Sequence, residues 1–337
     1  MAARRSASSK RKRNEGRRFW IFLLIVIALT AGALIYYARP EWAEPYIAEA
    51  ERVLGSEPGF QNESAESAAE EAPPYAGATE SFGKNSAVSA ERMEIPLCAA
   101  TAGRKGSLEG ALADDHEVHV YEGFTLCYRE TYEVAEWVAY TLTREKVESE
   151  MARTDKFKED PRISTKSASL ADYKGSGYDR GHLAPAADMR WSSNAMDESF
   201  FLSNMTPQLH AFNAGMWLNL ESAVRAWAVN FGEVTVVTGP VLERPAHEYP
   251  GIGENKVSVP EYFYKALLAR KPDGTKIALG FIMPNQKCPG SIMDYAVCID
   301  EIEERTGIDF FSLLEDDEET ALESSCEITD WERASKN

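Results

Sequence analysis

The chain has 337 residues, enough for one sizeable folded domain, or two small ones, together with non-globular extensions. Its formal net charge of −18 is opposite in sign to that of a typical nucleic-acid-binding module and argues against tight binding to polyanions through the surface as a whole. The five cysteines include no CxxC pair, which argues against a zinc ribbon. An oxidising compartment would permit one or two disulfides, and we expect Cys288 to pair with Cys326 in the loop-rich C-terminal part.

The first 38 residues have the pattern of a membrane anchor. Residues 19–38 contain no charged side chain, and twenty residues at a rise of about 1.5 Å each match a hydrocarbon core about 30 Å thick. Residues 1–18 carry eight Lys or Arg and one Glu. The positive-inside rule therefore predicts a cytoplasmic tail, with everything after the anchor outside. A cleaved signal peptide and a mitochondrial presequence are the alternatives.

The segment after the anchor, residues 39–94, is predicted to be an acidic flexible stalk because much of it consists of Ser, Glu, Ala, Pro and Gly. From about Ile95, hydrophobic and aromatic residues recur regularly, and no internal repeat is visible. We therefore predict one folded domain over residues 95–335. Without the basic tail, the net charge of the remaining chain is −25.

Strands are predicted in two groups, one at the start of the domain and one after its middle. Alternating or aromatic-rich runs bounded by turn residues mark them. The first group comprises His119–Tyr121 and Phe124–Tyr128, which flank Glu122-Gly123 as a hairpin, and Glu136–Leu142; the second comprises Val234–Thr238, Tyr262–Ala269 and Lys276–Met283. His116 and His119 form an HxxH pair, but on a strand they would point to opposite faces, so we expect surface residues rather than a metal site.

Between these groups, Ala211–Asn230 has the three- and four-residue apolar spacing of an amphipathic helix. Asn213 and Glu221 would share one broad face of that helix, and Trp217 is expected in the core. A helix between two strand-rich portions predicts an α+β fold.

The stretch GYDRGHLAPAADM, residues 177–189, presents Asp179, Arg180 and His182 around Gly181 in what we expect to be a turn. Hydrolysis of a phosphodiester needs a base that deprotonates water and cations that neutralise charge on the phosphoryl oxygens. A histidine beside an arginine can provide both. On spacing alone, however, the stretch also fits an ordinary polar turn.

Three motifs together carry a resemblance: DRGH at residues 179–182, SNMTPQ at 203–208 and FNAGMWLNLE at 212–221. In this order they resemble the DNA/RNA non-specific endonuclease family. The resemblance implies a ββα-metal nuclease fold with a central mixed or antiparallel sheet flanked by helices. It implies that His182 is the general base, that Asn213 binds Mg²⁺ and that Arg180 assists at the phosphate. TGP, VPEYFYK, MPNQ and IEERTGIDFF further along the chain also look like family segments.

Four more site residues follow from the resemblance. Arg153, in RTDKFKED, would contact the scissile phosphate, and Glu221 would take part in catalysis by supporting the metal shell. Asn204 and Arg225 would bind substrate. Four of the seven site residues have a plainer interpretation: Asn213 can cap a helix, Glu221 and Arg225 can form a surface ion pair, and Asn204 can satisfy local backbone groups.

The implied activity is hydrolysis of DNA and RNA outside the cytoplasm, with Mg²⁺ as cofactor and Mn²⁺ or Ca²⁺ as alternatives. His182 would activate a water while the metal stabilises the departing oxygen. Two other functions stay open: a catalytically weak nucleic-acid-binding module at the cell surface, and a phosphodiesterase or nucleotidase for small substrates. The oligomeric state is also open, with a homodimer as one option.

Overall fold

The computed structural model describes residues 93–102 and 108–335. The predicted cytoplasmic tail, the anchor at residues 19–38 and nearly all of the stalk lie outside the described residues. Within the described ranges, no helix has the length and apolar character needed to cross a bilayer. The anchor therefore stays a prediction from the sequence.

The described part of the chain folds around a large antiparallel sheet and belongs to the α+β class. Its strands are β1 Ala111–Ala113, β2 His116–Val120, β3 Thr125–Arg129, β4 Val134–Thr143, β5 Asp179–His182, β6 Met205–Gln208, β7 Glu233–Pro240, β8 Gly251–Ile252, β9 Val257–Ser258, β10 Tyr262–Arg270, β11 Lys276–Pro284 and β12 Ala296–Val297. Eight of them form one sheet in the order β1-β2-β3-β4-β7-β10-β11-β12, with every pairing antiparallel. All six strand predictions are confirmed, including the hairpin, in which Val120 pairs with Thr125.

Both faces of this sheet are covered, and the side chains of β10 show how. Phe263 and Leu267 face one core, whereas Tyr264 and Ala266 face the other, as the two-residue period of a strand requires. The helices are α1 Arg144–Val147, α2 Leu170–Tyr173, α3 Ser193–Ser199, α4 Leu218–Phe231, α5 Ile299–Thr306, α6 Asp316–Glu323 and α7 Thr329–Ala334. Helix α4 packs on the first face, and α5 and α6 pack on the second.

The predicted helix over Ala211–Asn230 is interrupted. Phe212–Trp217 forms a π-helical turn, and Gly215 within it has φ −111° and ψ −115°, which are not helical values. The regular helix α4 begins only at Leu218 and ends before Gly232, which has φ 101°. Irregular π turns of this kind are frequent at functional sites. Trp217 is fully buried, as predicted.

The expectation that His116 and His119 lie on the surface is wrong. Their exposed fractions are 8% and 4%. Carboxylates lie within ion-pair distance of both imidazole rings. His116 Nε2 lies 3.2 Å from Glu136 Oε2, and His119 lies 3.0 Å from both Glu109 and Glu117. These carboxylates supply the charge that allows both histidines to be buried.

The expected pairing of Cys288 with Cys326 is also wrong. Cys326 forms a disulfide with Cys298, and the two Cα atoms lie 4.6 Å apart. Cys298 immediately precedes α5 and Cys326 follows α6, so the bond joins two helices on one face of the sheet. Cys288 is a free thiol that packs into the core on the opposite face.

Candidate active site

The DRGH motif lies on a strand rather than in the predicted turn. β5 pairs antiparallel with β6, so that Gly181 is opposite Thr206 and His182 is opposite Met205. Gly181 is required because a Cβ there would lie 2.1 Å from Cδ of the buried Gln208. Since side chains two residues apart on a strand share a face, Arg180 and His182 project in the same direction.

Five of the seven predicted site residues line one cleft of about 760 Å³. The five are Arg153, Arg180, His182, Asn213 and Glu221, and Asp179 joins them. They come from a loop, from β5, from the π-helical turn and from α4, which lie far apart in the sequence. The two strands β5 and β6 followed by α4 therefore give the ββα arrangement that the resemblance implies.

His182 has a ring nitrogen available for proton transfer. Its Nε2 is buried and has no hydrogen-bond partner among the described residues. The ring packs edge-on against Phe200, with centroids 5.3 Å apart. Burial, and then the positive charges of Arg153 and Arg180, lower the pKa of His182 to about 3. The imidazole is therefore neutral near pH 7, which is the form that can accept a proton.

Two aromatic rings hold the arginines beside this histidine. The guanidinium carbon of Arg180 lies 4.2 Å from the Phe157 ring centroid, and that of Arg153 lies 5.0 Å from the Phe200 centroid. The two rings contact each other edge-on at 5.0 Å. A cation over an aromatic face is attracted by the ring quadrupole. The two aromatic rings thus hold two positive charges at the edge of the cleft, where these charges can pair with a phosphate group.

Asn213 is oriented by Asp179 rather than by a helix terminus. Asn213 Nδ2 donates a hydrogen bond to Asp179 Oδ2 at 2.9 Å, and His210 Nδ1 lies 2.8 Å from the same oxygen. A carboxylate only accepts hydrogen bonds, so the amide nitrogen must face it and the amide oxygen must face away. Oxygen donors of this type suit Mg²⁺ and Ca²⁺. The residues present therefore fit a divalent cation held through Asn213 Oδ1.

Glu221 lies at the bottom of the cleft next to a buried lysine. Its carboxyl is 8% exposed. Burial raises the pKa of Glu221 to about 7, against the opposing charge of Lys265. Lys265 is itself 1% exposed, and burial lowers its pKa to about 8, opposed by Glu221. The ammonium lies over the Trp217 ring at 4.3 Å and donates to Thr238 Oγ1 at 3.1 Å.

The structure does not support direct substrate contact by Asn204 or Arg225. Asn204 is fully buried, and its amide bonds to the backbone of Ala184 and Ser199, because the chain crossing between β5 and β6 needs these groups satisfied. Arg225 donates to the buried Asp188 at 2.9 Å instead of pairing with Glu221. Both side chains are thus engaged in supporting the walls of the cleft.

Sequence reasoning assigned no role to three groups that shape the site. Asp179 orients Asn213, Asp188 accepts hydrogen bonds from Tyr140 and Arg225, and Lys265 faces Glu221. Lys265 could have been found, because it occupies the inward phase of an apolar strand between Phe263 and Leu267. Asp188 gave no such signal, since its partners are distant in sequence.

The family model for DNA/RNA non-specific endonucleases matches residues 107–317 of this chain. A mitochondrial nuclease EXOG of Danio rerio is 34% identical over 234 residues, which are 65% of this chain and 68% of that protein. The mitochondrial endonuclease G of Homo sapiens is 37% identical over 200 residues, 56% of this chain and 67% of that protein. The match to the human EXOG nuclease spans only 58% of that protein's length.

Among solved structures, a crystal structure of the EndoG/EndoGI complex is similar, with a TM-score of 0.55 and 32% identity over 59% of this chain and 86% of that one. The fold and the sequence matches define a nuclease class, whose members are hydrolases that act on phosphodiester bonds. The chain belongs to the DNA/RNA non-specific endonuclease family.

Proposed function

We propose that this protein is a metal-dependent endonuclease that hydrolyses phosphodiester bonds of both DNA and RNA. The observation that carries the proposal is the position of His182. Its unpartnered Nε2 shares one cleft with two arginines and with an amide oxygen suited to a divalent cation. A base, phosphate-binding cations and a metal ligand are the three elements that phosphodiester hydrolysis requires.

His182 takes the proton of the attacking water in this mechanism. Without substrate, burial and, after it, the charges of Arg153 and Arg180 hold the pKa of His182 low. A bound phosphate offsets those charges, which makes the imidazole more basic in the complex than in the free enzyme. The base thus becomes stronger when substrate is present.

The two arginines bind the non-bridging oxygens of the scissile phosphate and orient it for in-line attack. Asn213, oriented by Asp179, would hold the divalent cation, which would supply charge stabilisation for the departing oxygen. Mg²⁺ is the cation we propose, with Mn²⁺ and Ca²⁺ as alternatives. Glu221 would support the waters of that cation, and the positive charge of Lys265 favours the ionised form of Glu221.

Lack of selection between DNA and RNA follows from the kind of contact. Arg153, Arg180 and His182 present two guanidiniums and an imidazole to the cleft, and these groups recognise phosphate. Phosphate contacts position a nucleic acid but carry no sequence information. The strongly acidic remainder of the chain would keep affinity low and product release fast.

We place the nuclease domain on the outer side of the cell membrane, anchored by residues 19–38. The basic tail supports that orientation, and the Cys298–Cys326 disulfide suits an oxidising compartment. The mitochondrial names of the relatives favour the alternative location. External protease added to intact cells should remove the domain while sparing the tail; full protection of the domain would overturn the placement.

The activity is tested by incubating the full chain with supercoiled plasmid or single-stranded RNA, in Mg²⁺ or in EDTA. His182→Ala should lower the cleavage rate about 10²–10⁴-fold on both substrates. His247→Ala, which removes an exposed histidine elsewhere, is the matched control and should cut like the native chain. A folded native chain that cuts neither polymer would contradict the proposal.

The two alternatives give different results in the same experiment. A binding module would retain plasmid in a filter assay without cutting it. An enzyme for small substrates would cut dinucleotides faster than long strands, so a length series of oligonucleotides separates it from an endonuclease.

A further inference from the structure

A second cluster of ionisable groups lies on the face of the sheet opposite the cleft. It is formed by α5 and α6, whose ends the Cys298–Cys326 disulfide joins. Apolar side chains of both helices pack into the core on that face, Ile299 and Ile302 from α5 and Leu322 from α6. The cluster is therefore separated from the nuclease site by the full thickness of the sheet.

Three carboxylates meet between these helices. One oxygen each from Asp300, Glu303 and Glu323 lies within 4.8 Å of the other two. Glu323 is only 7% exposed, and its Oε1 is buried without a hydrogen-bond partner among the described residues. Burying this oxygen among other acids without a donor is unfavourable, and a bound cation would remove that cost.

The charge around Glu323 is of one sign. Glu303, Glu319, Asp309 and Asp300 are the charged groups that act on Glu323, and all four are acidic. Across the described ranges, no Lys, Arg or His lies within ion-pair distance of these five carboxylates. The basic side chains near in sequence are engaged elsewhere, since Lys276 pairs with Glu318 at 2.6 Å and Arg305 pairs with Glu243 at 2.5 Å.

We propose that Asp300, Glu303 and Glu323 form a structural Ca²⁺ site that clamps α5 to α6. Ca²⁺ binds oxygen ligands at about 2.3–2.6 Å, so ligands on opposite sides of the ion are about 5 Å apart. The carboxylate oxygens fall within that span. The set offers neither the nitrogen nor the sulfur that Zn²⁺ prefers.

Ca²⁺ fits the site formed by these three carboxylates better than Mg²⁺ does. Mg²⁺ requires near-octahedral ligands at about 2.0–2.1 Å and gives up its waters reluctantly, whereas Ca²⁺ accepts irregular sets of six to eight oxygens. Asp300 is exposed and Glu303 is half-buried, so water can complete the shell from outside. For so open a site we expect a dissociation constant on the order of 10⁻⁴ M.

The site should act on stability and not on catalysis. An ion that binds the folded chain but not the unfolded one stabilises the fold in proportion to its saturation. Ca²⁺ at 100 times its dissociation constant, in the presence of excess Mg²⁺, should raise the Tm of the full chain by about 5–10 °C.

The test compares variants that each neutralise one carboxylate on α5 or α6. Asp300→Asn and Glu323→Gln should lose most of the Ca²⁺-dependent rise in Tm. Glu304→Gln removes the same charge from an exposed position of α5 and should keep the rise. Without Ca²⁺, Glu323→Gln should unfold at the native temperature or above it, because the substitution removes repulsion. A variant that merely disrupted packing would unfold earlier in both conditions.

Two results would overturn the proposal. One is a full Ca²⁺ effect in both Asp300→Asn and Glu323→Gln. The other is loss of the effect in Asn213→Ala, which would assign it to the nuclease site. If the variants do not fold, equilibrium dialysis of the native chain with ⁴⁵Ca²⁺ in tenfold excess Mg²⁺ decides, because failure to bind any calcium refutes the site.

Discussion

Substitution of Asp179 by Asn isolates the step that prepares the metal ligand. Asp179 Oδ2 accepts hydrogen bonds from Asn213 and His210, and its charge fixes which end of the Asn213 amide faces the cleft. An amide at position 179 can present either its oxygen or its nitrogen, so that constraint is lost. Loss of a charge-assisted hydrogen bond costs about 1.5–3 kcal/mol. Since about 1.4 kcal/mol changes an equilibrium tenfold, the Mg²⁺ affinity should fall about 10–100-fold.

The assay is the rate of plasmid cleavage as a function of Mg²⁺ concentration. Asp179→Asn should move half-maximal activity to higher Mg²⁺ and restore most of the rate at saturation. His210→Gln removes the other donor to Asp179 and should shift the curve by less than about threefold, because Asn213 stays oriented. If Asp179→Asn lowered the maximal rate with an unchanged Mg²⁺ midpoint, the orienting role would be refuted.

Three further predictions concern the framework of the site and of the sheet. Gly181→Ala should destabilise the fold by about 1–3 kcal/mol in urea unfolding, because the new Cβ overlaps Gln208; unchanged stability would show that the Gln208 side chain can yield. Asn204→Ala should cost about 3 kcal/mol or more, since three buried backbone groups lose their partners, and a loss of activity without a loss of stability would restore its predicted substrate contact. Burial disfavours a charged His119, but its hydrogen bonds to Glu109 and Glu117 outweigh this and raise its pKa. The stability that the charged His119 contributes is present below about pH 6.5 and is lost as the pH rises through its folded-state pKa. The urea midpoint of His119→Gln should therefore fall less between about pH 6 and pH 9 than that of the native chain.

The proposed Ca²⁺ site between α5 and α6 and the nuclease cleft both contain a buried glutamate, but the charges around the two glutamates differ. At the cleft, Glu221 faces a buried lysine, so its negative charge has a fixed partner. Between α5 and α6, the charged groups that act on Glu323 within the described part of the chain are acidic. The charge of Glu221 is therefore partly offset within the chain, whereas the carboxylates between α5 and α6 depend on an ion from solution in our proposal.

The sequence alone determined the strands, the nuclease motifs and most of the cleft residues. Strand period and turn residues are local properties, so β2, β3, β4, β7, β10 and β11 could be predicted from short windows. His182, Arg180 and Asn213 were found because their motifs recur in a family. The prediction of an uninterrupted helix over Ala211–Asn230 was wrong because the backbone leaves helical values at Gly215, a residue type with low helix propensity.

Only the tertiary structure decided how polar groups are satisfied. Asn204 could contact substrate or backbone, and the structure buries it with its amide hydrogen-bonded to the backbone of Ala184. His116 and His119 are buried in part because Glu136 and Glu109 come from other segments. Cys326 pairs with Cys298, whose Cα atom lies 4.6 Å away, and not with Cys288, which is a free thiol. Such partners are distant in sequence, and hydrogen bonds, ion pairs and disulfides depend on distances that no local pattern encodes.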